Sequence, residues 1–345
     1  MKKNIQRAIH KIFYTLFPEL AGLQTVDVRS LREKLRSVQS QLKPLSDTAK
    51  IRFVMEYLDR SDPEFLKEYD RWKLPAFFKE RLGYELNFDA PETFNEKLQW
   101  LKIHCRKPEM AIMADKYRVR DYLNEKGYGR YANTVYGVYH SLQDIREHWD
   151  ALPLQFVLKP NHWSSAVSIV RDKNAFDEKS VKPLVDLLKK NYYYDSASCA
   201  EWPYKNIVPC IIAEKYLEDE QGGLLDYKVF CFNGRAHFIQ VDVDRHTHHT
   251  RCFYDTAWQK QDFTTLYPLY GGAVDKPCLL ADMLAIAESL SADFAHMRVD
   301  FYHPGPTELI LGELTFFHGG GVEPFLPREW DLKMGALLDL KNSRV

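Results

Sequence analysis

The chain has 345 residues, 45% of them hydrophobic and 28% charged, with a formal net charge of −1. That length holds more than one lobe around a sizeable core, and the near-neutral balance excludes a dedicated nucleic-acid binder, whose affinity comes from massed Lys and Arg. Six cysteines lie scattered with no C-x-x-C pair, which rules out a disulfide framework or a zinc ribbon and fits reduced, mostly buried thiols of a cytoplasmic protein.

The charge is unevenly spread: residues 1–50 hold ten Lys/Arg against four Asp/Glu. Ile5, Ile9, Ile12, Phe13, Leu16, Phe17 and Leu20 recur at helical spacing, with Lys2, Lys3, Arg7 and Lys11 between them. Such a basic amphipathic helix either lies on an anionic membrane surface or packs on its own protein. No apolar run reaches the length of a membrane span, and the basic start lacks the apolar stretch and cleavage site of a signal peptide. The expectation is a cytoplasmic chain whose residues 1–20 are a candidate contact with the inner face of the membrane.

Further helices are expected over 31–42, 48–58 and 63–79. Thr93-Phe94-Asn95-Glu96 has the form of a capping box, so a helix starts there. A second begins near Ala114-Asp115-Lys116 and stops at Gly127, and a third covers 141–149. The period then changes to that of strands. Residues 154–159 and 167–170 read as strands around the small-residue loop 161–166, followed by a helix over 176–191. Residues 207–217 form a strand running into an acidic joint at 218–223. Residues 226–231 and 235–242 flank Asn233-Gly234, a strong hairpin signal. Another strand is expected at 252–254 and a helix at 279–290. Two β-prone runs, 297–302 and 309–315, face each other across His303-Pro304-Gly305-Pro306-Thr307, and a helix over 329–340 closes the chain. A helical lead-in followed by mostly antiparallel strands is α+β.

The last hairpin carries the densest chemistry. It sets Asp300 and Glu313 on adjacent strands, and Arg298, two residues before Asp300, shares its face. Two carboxylates on one face can converge on magnesium, which takes one or two carboxylates together with phosphate oxygens. By themselves they read equally well as structural. Lys159 ends a strand before a loop with Asn161, Ser164 and Ser165, a pattern suited to gripping phosphates by point charge and N–H donors. Glu214-Lys215-Tyr216-Leu217 leaves its strand as a hinge whose backbone can pair with an adenine edge.

Taken in order, these segments resemble the ATP-grasp superfamily, most closely its TupA-like branch of bacterial surface-polysaccharide synthesis. The matching runs are Asn95-Glu96-Lys97-Leu98-Gln99-Trp100-Leu101-Lys102, Ala114-Asp115-Lys116-Tyr117-Arg118-Val119-Arg120, Phe156-Val157-Leu158-Lys159, Glu214-Lys215-Tyr216-Leu217, Asp226-Tyr227-Lys228-Val229-Phe230, Arg298-Val299-Asp300-Phe301 and Gly312-Glu313-Leu314-Thr315. The resemblance covers about residues 92–335. It implies an ATP-grasp fold of two α+β lobes with a helical N-terminal extension: residues 1–90 the extension, 91–155 a linking segment, 156–217 the small lobe, and 218–345 the large lobe with the metal site. It implies ATP and one or two magnesium ions as cofactors. Lys116 and Lys159 would hold the phosphates with Ser164 and Ser165. Glu214, Lys215 and Leu217 would form the adenine hinge, while Asp226 takes the ribose beside Lys228. Asp300, Glu313 and Thr315 would be the metal positions, and Arg298 with Lys159 the catalytic cations. Relatives usually carry asparagine where Thr315 stands and a glycine-rich loop where this chain has Asn161-His162-Trp163-Ser164-Ser165-Ala166.

The implied activity is a carboxylate–amine ligase that makes an amide through an acyl phosphate, joining an amino acid or other amine to the uronic-acid carboxylate of a glycan. Two other readings stand beside it. Asp242-Val243-Asp244 has the D-x-D form of a glycosyltransferase, and Thr315 with the glycine-free loop fits an ATP binder that has lost catalysis. His246-Thr247-His248-His249 reads as a polar loop for an anionic acceptor, a solvated turn, or a metal site.

Overall fold

The computed structural model describes Arg52, Glu56 and residues 63–195, 200–218, 224–244 and 248–341. The expected helices over 1–20, 31–42 and 48–58 lie outside them, or nearly so. The chain divides at Trp72/Lys73 into two compact units, and the account below concerns the second.

Helix α1 (Pro63–Leu82) runs across that division, with Glu64 in its first turn and Lys79 and Arg81 in its last, each complementing the helix dipole. Helix α2 (Phe94–His104) starts at the capping box: Glu96 N–H donates to Thr93 Oγ1 at 3.1 Å and Thr93 N–H to Glu96 Oε2 at 3.0 Å. The helix expected from Ala114 to Gly127 is instead two, α3 (Glu109–Ala114) and α4 (Val119–Glu125). Asp115 breaks it. Its backbone turns extended, with ψ 113°, and its carboxylate takes the N–H groups of Tyr117 and Arg118 at 2.8 and 3.2 Å, the local competition that Asp offers a helix. Lys116 therefore sits in a joint.

Strand β1 (Val135–Tyr139) was not expected, and α5 (Leu142–Glu147) follows it, capped by Ser141. Strands β2 (Phe156–Pro160) and β3 (Ser168–Val170) come next. The helix over 176–191 shrinks to α6 (Lys182–Leu187), and a single turn, α7 (Tyr192–Asp195), follows it. Asp177 accepts from Lys179 N–H at 2.9 Å to form a turn, and Pro183 in the first turn of α6 fixes where a helix can start. Strand β4 (Ile211–Lys215) is shorter than the expected 207–217, and a 3₁₀ turn (Trp202–Asn206) precedes that stretch. The rest follows as β5 (Asp226–Phe232), β6 (Arg235–Val243), β7 (Thr250–Asp255), β8 (Thr264–Thr265), α8 (Leu280–Ser291), β9 (His296–Gly305), β10 (Glu308–Thr315), β11 (Phe325–Leu326) and α9 (Glu329–Leu337). Asn233 and Gly234 turn β5 into β6 with φ of 48° and 77°, as a tight hairpin requires. Strand β9 runs on through Gly305, so the predicted five-residue loop contracts to Pro306-Thr307.

Two antiparallel sheets result, β1-β4-β2-β3 and β10-β9-β5-β6-β7, with β8 and β11 as a small ladder. The α+β expectation holds. In the first sheet Phe156, Leu158, Ile211 and Ala213 build a core with Ile145 and Leu184. The second sheet has two different faces. Cys231, Val229 and their neighbours form one, under the apolar residues Met283, Ile286, Ala287 and Leu290 of α8. The alternate residues Asp226, Lys228, Gln240, Asp242, Arg251 and Asp300 are also buried, and they carry charge or amides. Among the described residues Cys105, Cys210, Cys231 and Cys252 are buried, Cys278 is exposed, and none is bridged. No helix among them is long and apolar enough to cross a membrane.

Helix α9 packs on the start of α2. Asp331 accepts from Asn95 N–H at 2.9 Å, from Asn95 Nδ2 at 3.0 Å and from Tyr84 Oη at 3.0 Å, and Lys97 Nζ donates to Gly335 O at 2.7 Å. A Cβ on Gly335 would lie 2.1 Å from Glu92 O and 2.7 Å from Thr93 C. Those are backbone atoms, which cannot swing aside. Gly335→Ala is expected to destabilise the protein by about 1–3 kcal/mol, although the same change in an open helix gains about 1 kcal/mol; urea unfolding midpoints of the two proteins decide the sign.

Candidate active site

A cleft opens between the first sheet and the β9–β10 hairpin. Val119, Leu123 and Leu311 give it an apolar wall, and Lys116, Arg120 and Lys159 a cationic one. Two of these cations meet at Glu214, whose carboxylate lies 2.6 Å from Lys159 Nζ and accepts from Arg120 Nη2 at 2.9 Å. Burial pushes the Glu214 carboxyl up, but Lys159 and Arg120 outweigh it and hold the group ionised, below the usual range. Asn161 ties the two lysine-bearing segments together. Its side-chain N–H₂ donates to Asp115 Oδ1 and Val208 O, both at 3.0 Å, its side-chain oxygen accepts from Cys210 N–H at 2.9 Å, and its carbonyl accepts from Lys116 N–H at 3.0 Å.

Lys116 links the cleft to the hairpin, with Nζ 3.2 Å from Glu313 Oε1. Glu313 pairs in register with Asp300, and Thr315 with Arg298. Arg298 grips Asp300 with two bonds, Nε to Oδ1 at 2.7 Å and Nη2 to Oδ2 at 2.8 Å. Lys228, opposite Asp300 on β5, lies 3.1 Å from its Oδ2 and in closer contact with Asp226. Asp242 is 3.9 Å from the same ammonium and accepts from Arg251 Nε at 2.7 Å and from Gln240 Nε2 at 3.0 Å. Arg251 Nη1 then reaches Glu323 at 3.1 Å and Thr265 Oγ1 at 2.8 Å. Burial pushes these carboxyls up, and the neighbouring groups outweigh it: Arg298 and Lys228 at Asp300, Lys116 at Glu313, Arg251 at Asp242, and the adjoining His318 ring together with the Arg251 cation at Glu323. Asp300 also pushes Glu313 upward, the mark of two carboxylates close together.

The predicted residues divide between these two places and the surface. Lys116, Lys159 and Glu214 line the cleft. Arg298, Asp300, Glu313, Lys228 and Asp226 share the charged sheet face. Asp226 thus lies beneath Lys228, away from the cleft lining where a ribose acid was expected. Thr315 Oγ1 accepts from Arg298 Nη2 at 3.2 Å. Lys215 points the opposite way from Glu214, as strand alternation dictates, and pairs with Glu308 at 3.4 Å. Leu217 lies past the end of β4. Ser164 and Ser165 are exposed, 3.4 Å apart at their hydroxyls, with Ser165 at φ 59°; neither lines the cleft. Asn161 is a buried staple rather than a loop donor, and Trp163 packs edge-on against Tyr192.

The D-x-D pair is not a pair: β6 ends at Val243, and Asp244 turns to φ 53° in solvent while Asp242 is buried against Arg251. His246 lies outside the described residues, and His249 stacks on Tyr267 at 3.7 Å. Among the described residues no group of three or more His, Cys, Asp or Glu is arranged for a metal ion. Asp300 and Glu313 suit a different kind of site, two hard carboxylates that share an ion with phosphate oxygens. Sequence reading assigned no role to Arg120, Gln240 or Glu323. Arg120 follows Lys116 by four residues, one helical turn, which was a usable signal. Glu323 follows a loop and gave none.

The family model described as TupA-like ATPgrasp matches residues 96–339. No curated protein matches the chain. Among solved structures it is similar to an L-amino acid ligase from Bacillus licheniformis, at 13% identity and TM-score 0.45, covering 83% of this chain and 64% of that one. It is similar also to a D-alanine–D-alanine ligase from Bacillus anthracis, at 16% identity and TM-score 0.38, covering 64% of each. A phosphoribosylamine–glycine ligase from Thermotoga maritima shares 10% identity at TM-score 0.40, over 61% of this chain and 49% of that one. The chain thus spans about half to just under two thirds of the length of these structures.

Arg251→Met removes the cation between buried Asp242 and half-buried Glu323. It is expected to cost about 3–5 kcal/mol near neutral pH. Both carboxyls are depressed in the folded protein, so the stability they contribute is present above the ordinary carboxylate range and lost as pH falls below it. The deficit of the variant should therefore shrink as pH drops through that range, where protonation removes the unpaired charge; urea titrations of both proteins across pH 3–7, run at roughly unit intervals, test the sign.

Proposed function

The chain belongs to the TupA-like ATP-grasp family, and on that footing we propose that it is an ATP-dependent carboxylate–amine ligase. The observation that carries the reading is the Lys116–Glu313 contact, which joins a cationic cleft to a face bearing paired carboxylates. ATP would lie with its base against Val119, Leu123 and Leu311 and its phosphates toward Lys116 and Lys159. Asp300 and Glu313 would hold magnesium, which when bound neutralises phosphate charge and aligns the oxygens. Thr315 has one lone-pair direction engaged by Arg298, so the two carboxylates carry the ligation.

The reaction this supports has two steps. A carboxylate oxygen of one substrate attacks the γ-phosphorus, and ADP leaves with the electrons of the broken P–O bond. An amine then attacks the acyl carbon, loses its proton, and expels phosphate. Both steps develop charge on phosphoryl or carbonyl oxygens, where Arg298 and Lys159 stabilise it, and no activated side-chain nucleophile is needed. The substrate class comes from the family resemblance: a uronic-acid carboxylate on a bacterial surface glycan or its precursor, joined to an amino acid or other amine. Residues 1–20 would hold the enzyme to the cytoplasmic face of the membrane where such glycans are assembled.

ADP and phosphate release should be measured with magnesium-ATP, uronic-acid sugars and a pool of amino acids. Release is expected to require both co-substrates, to fall by about 100-fold or more in Asp300→Asn and Glu313→Gln, and in Lys159→Met to show a raised KM for ATP. ATP that binds but is never consumed with any pair of substrates would overturn the reading in favour of a non-catalytic binder.

A further inference from the structure

Arg298 is held from two sides, and only one of them is a carboxylate. A guanidinium has five N–H donors and no acceptor. Nε and Nη2 go to Asp300 and Thr315; Nη1 lies 2.7 Å from His318 Nδ1. Since arginine cannot accept and does not deprotonate, Nδ1 must present its bare lone pair. The imidazole proton therefore sits on Nε2, which lies 3.1 Å from Glu323 Oε2 without the alignment of a hydrogen bond. Glu323 is itself fixed by Arg251 and by Thr265 Oγ1, each near 3 Å.

The local backbone is built for this arrangement. Gly319, Gly320 and Gly321 take φ of 55°, 63° and 65°, a left-handed turn that brings Glu323 back against His318. A Cβ on Gly319 would stand 2.2 Å from Glu323 Cγ, so only glycine leaves the carboxylate room to approach. His318 is 2% exposed, packed edge-on against Phe230 at 4.8 Å. Burial pushes its pKa down, against the pull of Glu323, so the neutral form that the geometry requires is also the one the surroundings favour.

We propose that His318 is a positioning residue: kept in its Nε2–H tautomer by the Arg298 donor at Nδ1, it holds the Arg298 guanidinium by the edge that Asp300 leaves uncovered. The proposal rests on the ligase reading, in which Arg298 faces the transferring phosphoryl group. Asp300 alone pins one side of the guanidinium. The imidazole supplies the second point, so the plane cannot swing when substrate charge pulls on it.

Two readouts test this. In the full chain labelled with ¹⁵N-histidine, two-bond ¹H–¹⁵N spectra report each tautomer, and the signal lost in His318→Asn identifies the residue. A protonated Nε2 with bare Nδ1 is expected; a protonated Nδ1 overturns the proposal, because Arg298 could not then donate to it. In ADP-release kinetics, His318→Phe keeps a ring but no acceptor, and should lower kcat by about 100-fold with KM for ATP changed less than about threefold. His318→Asn, whose Oδ1 can replace Nδ1, should recover to within about tenfold of the parent. An unchanged kcat in His318→Phe, or an Asn variant no better than Phe, overturns it as well. If His318→Phe does not fold, the Asn variant and the parent spectrum still decide. If the parent consumes no ATP with any substrate pair, the ligase reading fails while the tautomer stands or falls separately.

Discussion

Burying a charged sheet face is the condition on which this structure depends. An isolated ion moved from water into a protein interior costs several kcal/mol even after relaxation, and only close, hydrogen-bonded partners offset it. The five-stranded sheet meets that condition by register. Asp300 faces Lys228 and Glu313, Asp226 faces Asp242, and Asp242 faces Arg251, so each charge stands beside an opposite or shared one. Alternation supplies the other half: the residues between them point toward α8 and make an ordinary apolar core. A shift of one residue in any strand would exchange the two faces. The same pattern thus holds the sheet in register and assembles the site.

The smaller elements matter for where they place cations. Asp115 ends α3 and leaves Lys116 in a joint, free of helical constraint, while β2 carries Lys159 to its end and β4 presents Glu214 between Lys159 and Arg120. The Asn95–Asp331 contacts and the close approach at Gly335 fix α2 against α9, and α2 in turn anchors the glycine turn: Gln99 Nε2 donates to Gly321 O at 2.6 Å and Lys102 Nζ to Gly320 O at 2.7 Å.

Much of this was legible in the order of residues. The capping box, the Asn-Gly hairpin and the last β pair are local signals, each set by a few neighbouring residues, and each formed where expected. The hairpin's alternation was enough to place Arg298, Asp300 and Glu313 together. What failed was whatever a long-range partner decides. Asp115 competes with a helix that periodicity alone would continue. Strand β1 forms because β4 offers it an edge. Asp242 read as half of a D-x-D motif because nothing near it in sequence announced Arg251 nine residues on. Asn161 looked like a phosphate-loop donor because four of its partners lie 45 or more residues away, Asp115 and Lys116 in one segment and Val208 and Cys210 in another.

That single amide has a mechanical consequence. Through its side chain and its carbonyl, Asn161 bolts the joint holding Lys116 to the strand end holding Lys159. The backbones that carry the two ammonium groups are therefore coupled as one rigid jaw, whose gauge does not depend on what lies between them. The opposing jaw is the hairpin, joined to the first across the cleft by the salt link of Lys116 to Glu313. A link of two flexible side chains yields more readily than a buried four-bond bracket. Any widening of the cleft would accordingly be taken up at that link, with the spacing of the cations preserved and their distance from the carboxylates as the adjustable dimension.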